Sequence, residues 1–198
     1  MFLGPENNSG PIEPFDKSDL EYQFATSLNF ETCIFGWLTA YSNFVEAQKT
    51  LIEDGLADVA SPASLDLGIG TLEAFRNLGG FGVTIECGSH LAPSSGSVAY
   101  AAIRRAMVST GLCKGLEIDP TDFKEIFEFR SVLVKENAGD VLSRRWKLFD
   151  EVQAGHVVGI RRGAELSFDE NLHTVFCYPD APVGGAWLYM AKRSKRRV

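Results

Sequence analysis

No apolar run in this chain is long enough to cross a bilayer, because a spanning helix needs about 20 such residues. The opening, MFLGPENNSG, lacks the basic stretch and the apolar segment of a secretory signal. Cysteine is scarce: Cys33, Cys87, Cys113 and Cys177 are the four, and no two form a CxxC pair. That argues against a disulfide scaffold and for a reducing compartment, so the expected location is cytoplasmic. Cys33 and Cys87 lie in apolar runs and read as small buried hydrophobes. Clustered base is missing from the body of the chain. Of 19 Lys and Arg residues, five (Lys192, Arg193, Lys195, Arg196 and Arg197) stand together near the end, where they read as a solvated terminus. Without those five, 14 basic residues face 26 acidic ones, a balance of −12 that repels nucleic acid. The expected partners therefore include neither nucleic acid nor membrane.

What is present is material for a core. Hydrophobic residues make up 45% of 198 residues, with 14 Phe and 3 Trp, enough for one large domain or a medium one with a small one. Residues 1–17 are rich in Gly, Pro, Asn and Asp and read as loop. Ser18-Asp19-Leu20-Glu21 has the form of a capping box, in which the Glu21 side chain reaches back toward Ser18. Leu20, Phe24 and Leu28 then share a helical face. Thr32 to Trp37 suits a short buried strand, and Val45 to Leu56 has helix-like features with weak periodicity. Leu67 to Leu78 reads as a helix stopped by Gly79-Gly80. Phe81 to Cys87 has the profile of a central strand, and Ser97 to Thr110 that of a helix closed by Gly111. This alternation predicts an α/β layered domain with a mostly parallel sheet over residues 1–119. From Ile126 the chain alternates in β fashion and is broken by turn residues, so 120–198 is expected to be a small all-β domain.

Glu86 stands out. It closes the apolar run VTIE and is followed by Cys87-Gly88-Ser89-His90. A carboxylate in such a run is costly unless it is paired or functional. Ligands gather at the carboxyl ends of strands in open α/β sheets. The plain alternative is a strand-end glutamate paired to a nearby Arg or Lys.

The segment LEAFRNLGGFGVTIECGSHLAPSSGSVAYAAI resembles the signature of the succinylglutamate desuccinylase/aspartoacylase family, as do FDEVQAGHVVGIRRGAEL, TVFCYP and GGAWLYMAK downstream. The resemblance implies a zinc-carboxypeptidase-like α/β domain followed by a β-rich one. It implies a zinc-dependent deacylase acting on a small N-acyl amino acid or related amide. Glu86 falls at the position of the general base/acid. Arg76, ten residues earlier, falls at that of an arginine that grips a substrate carboxylate; its other reading is a surface residue near a helix end. Tyr189 corresponds loosely to a pocket tyrosine and is otherwise a buried structural one. His90 is read as a pocket or turn residue, and His156 and His173 as surface or structural residues.

In that family zinc is held by an HxxE pair and a second histidine, all before the glutamate strand. This chain has no HxxE, and its first histidine, His90, follows Glu86. The expectation is therefore a C-terminal portion with no metal ligands of its own, inactive alone, whether a fragment or a natural short protein. Three rivals stay open: a non-catalytic interaction module, a zinc carboxypeptidase acting on peptides, and a composite site whose zinc half comes from another chain. A homo-oligomer is compatible with all of them.

Overall fold

The computed structural model describes residues 2–3, 20–59, 62–63, 71–89, 91–115 and 117–195. Its elements in chain order are β1 (Phe2–Leu3), α1 (Leu20–Ser27), β2 (Thr32–Phe35), α2 (Trp37–Glu53), α3 (Thr71–Asn77), β3 (Thr84–Ile85) and α4 (Ser95–Ser109). There follow β4 (Glu125–Val134), β5 (Val141–Leu142), β6 (Glu151–Val152), β7 (Gly159–Arg161), β8 (Ala164–Leu166), β9 (Leu172–Cys177) and β10 (Ala186–Arg193). They fall into two compact units: Met1–Phe35, Thr71–Phe127 and Ser194–Val198 form one, Gly36–Gly70 and Glu128–Arg193 the other. Ser18 and Asp19 of the expected capping box lie outside the described residues.

In the first unit β1 is central. It pairs in parallel with β2, Phe2 opposite Cys33, and antiparallel with β3, Phe2 opposite Ile85. A mostly parallel sheet is thus not what these strands build. The expectation assumed successive crossovers of a strand–helix–strand kind. Here the chain leaves β2, runs through the second unit and returns by α3 before entering β3. A core of Tyr22, Ala25, Cys33, Phe123 and Ile126 is flanked by Val83 and Ile85. The Tyr22 ring meets Phe123 edge-on at 5.9 Å, and its hydroxyl donates to Asp122 Oδ1 at 2.9 Å. Burial, reinforced by that carboxylate, raises the Tyr22 pKa well above the usual tyrosine range. The Arg105 guanidinium of α4 donates from Nε to the Ser27 carbonyl that ends α1, at 2.9 Å.

The second unit carries α2 and most of the β structure. Gly36 enters α2 with φ of 84°, a left-handed conformation that suits glycine. Ala40, Phe44, Val45, Gln48 and Leu51 form the buried stripe of the helix. β9 pairs antiparallel with β10 and β6, and β5, β7 and β8 make a separate antiparallel sheet. After Lys124 no helix occurs among the described residues. The core joins Trp146, Val152, Val158, Leu166, Leu172, Trp187, Leu188 and Met190, each contributing about 1.5–3 kcal/mol where fully buried. Two buried polar side chains staple loops to it. Gln48 donates to the Gly184 carbonyl at 2.6 Å and accepts from the Ala63 N–H at 2.6 Å. Asp140 accepts the N–H groups of Glu136, Asn137 and Arg162 at 2.8–2.9 Å.

Candidate functional site

The approach to Glu86 begins where α3 stops. Gly79 has φ of 83°; its N–H donates to the Arg76 carbonyl and the Gly80 N–H to that of Phe75, a glycine-terminated helix end. A side chain at Gly80 would meet the half-exposed Phe75 ring at 2.4 Å, so that ring would have to move to admit one. Arg76, in the last turn, points its guanidinium at the chain that follows. Nε donates to Glu21 Oε1 at 2.9 Å and Nη2 to the Gly82 carbonyl at 3.1 Å. The same carboxylate oxygen accepts the Gly82 N–H at 2.9 Å. Glu21, expected to cap its own helix, therefore fastens α1, α3 and the loop before β3 together. Phe81 adds an edge contact with Phe24 at 5.5 Å.

β3 is shorter than the expected strand over 81–87, because the Gly82 N–H goes to a side chain and not to a ladder. Glu86 follows β3 directly and is partly exposed. The chain then turns at Gly88, φ 112°, where an added Cβ would lie 3.0 Å from Ser95 Oγ. That hydroxyl donates to the Ser89 carbonyl at 2.7 Å, tying the turn to the start of α4. Glu86 thus sits between a clasped loop and a pinned turn, and its backbone position is constrained from both sides.

His90 lies outside the described residues. Tyr189 belongs to the second unit, in an aromatic cluster. It stacks on Trp37 at 6.1 Å and meets Phe176 and Tyr178 edge-on at 5.4 and 6.0 Å. Burial, with Tyr178 and Tyr41 nearby, pushes its pKa up to about 12, so its hydroxyl holds its proton at neutral pH. His156 is exposed and meets Trp146 edge-on, and His173 lies in β9. Among the described residues no three His, Cys, Asp or Glu side chains are grouped so as to hold a metal ion. Those residues do not fit a zinc centre.

Two features had no signal in the sequence. The Glu21–Arg76 pairing spans 55 positions, and nothing local announces it. A cavity of about 330 Å³ in the second unit is lined by Arg145, Cys177, Tyr178, Asp180 and Pro182, with neighbouring turn residues. Burial raises the Cys177 pKa, which disfavours its thiolate.

These observations define a mixed α/β chain in two units, with a carboxylate at the end of a short strand. Its fold is similar to that of a succinylglutamate desuccinylase from Vibrio parahaemolyticus, with TM-score 0.56 and 12% identity over 97% of this chain and 48% of that one. It is also similar to a succinylglutamate desuccinylase from Silicibacter sp. TM1040, with TM-score 0.52 and 14% identity over 97% of this chain and 53% of that one. No family model matches the chain, and no curated protein does. The likeness is one of fold, and the chain spans about half the length of each structure.

Proposed function

We propose that this chain supplies the glutamate-bearing part of a zinc-dependent deacylase that cleaves the amide bond of a small N-acyl amino acid or related compound. The supporting observation is the placement of Glu86: partly exposed, at the end of β3, in a chain whose fold is similar to two structures described as desuccinylases. In this reading the Glu86 carboxylate takes a proton from water as the water oxygen bonds to the amide carbon. It then delivers that proton to the nitrogen as the carbon–nitrogen bond breaks, releasing a carboxylate and an amine. In this reading zinc belongs to the intact enzyme and none is held by this chain alone, so the 198-residue chain by itself does not turn over substrate. The catalytic portion is the unit that carries Glu86, Met1–Phe35, Thr71–Phe127 and Ser194–Val198, and the β-rich portion is the other, which takes in α2 and so departs from a boundary at 119/120; the place of action is the cytoplasm.

Arg76 and His90 are the proposed substrate contacts beside Glu86. Arg76 already holds the Glu21 carboxylate, so a substrate acid gripped by this guanidinium has to compete with Glu21. The test is a panel of N-acyl amino acids, N-succinylglutamate and N-acetylaspartate among them, incubated with the protein purified from native cells with its associated chains. Release of free amine from at least one is expected. No release from any of them contradicts the reading.

A further inference from the structure

The chain between β9 and β10 makes two successive tight turns, and the cavity of about 330 Å³ lies against them. The Ala181 N–H donates to the Tyr178 carbonyl at 3.0 Å, and the Gly185 N–H to that of Pro182 at 2.9 Å. Gly184, φ 80°, donates to the Lys135 carbonyl at 2.8 Å, and its own carbonyl accepts the Gln48 amide. These bonds fix the wall and occupy those main-chain groups, so side chains set what the cavity can hold. The Trp146 N–H bonds the Cys177 sulfur, which pins the loop before β6 to the floor and brings Arg145 to the cavity. Every lining residue belongs to the second unit.

The lining has two kinds of surface. Tyr178, Pro179, Ala181 and Pro182 give an apolar wall, and the volume falls at the small end of the range for ligand pockets, about 300–1,000 Å³. The formal charges among the lining residues are one of each sign, Arg145 and Asp180. Arg145 Nη2 lies 4.0 Å from Asp180 Oδ2, too far for a hydrogen bond, which closes at about 2.7–3.2 Å. Their side chains are 76% and 96% exposed, and an ion pair so placed adds little to stability. A lone anion at this mouth meets Asp180, and a lone cation meets Arg145. A zwitterion satisfies both. We propose that this cavity binds a free α-amino acid with an apolar side chain, its carboxylate on Arg145, its ammonium on Asp180 and its side chain against Tyr178, Pro179 and Pro182. The planar guanidinium fork matches two carboxylate oxygens. Such binding does not involve Glu86 and is read without turnover, so it stands or falls separately from deacylation.

The test is equilibrium dialysis of labelled L-leucine against the full 198-residue chain, with peptide mapping of cysteine alkylation alongside. One equivalent is expected to bind and to slow the alkylation of Cys177, leaving that of Cys113 unchanged. Arg145→Gln and Asp180→Asn are each expected to weaken binding about tenfold or more, the effect of losing one charge-assisted contact. Both side chains face solvent, so circular dichroism is expected to show unchanged folding. N-acetyl-L-leucine lacks the ammonium, L-leucinamide the carboxylate and glycine the apolar body, and each is expected to bind more weakly than leucine. Absence of binding at millimolar leucine would overturn the proposal. So would binding that either variant leaves unchanged, or any of the three analogues bound as tightly as leucine.

Discussion

Arg76 and Glu21, 55 residues apart, form an ion pair with Nε 2.9 Å from Oε1, and both side chains are largely withdrawn from solvent, at 21% and 10% exposure. The same oxygen holds the Gly82 N–H, and the same guanidinium holds the Gly82 carbonyl. Both backbone groups of one glycine are thus satisfied by one pair of side chains. Without them the loop that feeds β3 has no ladder partner at this position.

Breaking that clasp is expected to be costly for the fold. Arg76→Met or Glu21→Met removes charge-assisted hydrogen bonds and leaves a backbone group of Gly82 unpaired, a loss of about 2–3 kcal/mol. The two variants are also expected to be strongly non-additive, because they remove one shared interaction. Urea denaturation of the two singles and the double measures this. Additive losses would mean that the two side chains act separately.

Asp140 stabilises the second unit in the same way. It is 2% exposed and accepts three backbone N–H groups, one from Arg162, which itself lies at φ of 51°. Asp140→Ala leaves those donors buried without partners and is expected to cost about 3 kcal/mol. Asp140→Asn keeps an acceptor and is expected to cost less. Thermal unfolding of the two variants separates them, and equal losses would count against this role.

Tyr189 sets a pH limit on stability. Its folded pKa, about 12, lies above the ordinary value of 10, so the folded state holds the proton more tightly than the unfolded one. The resulting stability is fully present below pH 10 and is lost as pH rises through about 12. Denaturation midpoints measured from pH 8 to 12 are expected to fall more steeply in the wild type than in Tyr189→Phe. Parallel curves would contradict the assignment.

The sequence read some of this well and some not at all. Helix α4 was expected over 97–110 and is found at Ser95–Ser109, because its glycine stop is local. The strand before Glu86 was expected over seven residues and pairs over only two, since Phe81 and Gly82 are claimed by Phe24 and Glu21 from α1. Apolar content marks such a run for burial without saying whether a ladder or side chains bury it. Likewise α2 begins at Trp37, where a strand was expected to end. Its aromatic residues Trp37, Tyr41 and Phe44 have helical spacing, and Trp37 is stacked against Tyr189 from β10, a long-range contact that overrides weak local periodicity. The prominence of Glu86 was visible from its place in an apolar run. The partner of Arg76 was not, because a pairing across 55 residues leaves no pattern in either segment.

The central claim is that the Glu86 carboxylate moves the proton in amide hydrolysis, and the most direct measurement is the turnover of Glu86→Gln in the native assembly on whichever N-acyl amino acid it cleaves. The substitution keeps the size of a partly exposed side chain and removes only its capacity to take a proton. A fall in kcat of roughly 10²–10⁴-fold with unchanged folding is the expected result. Turnover equal to wild type would contradict the account.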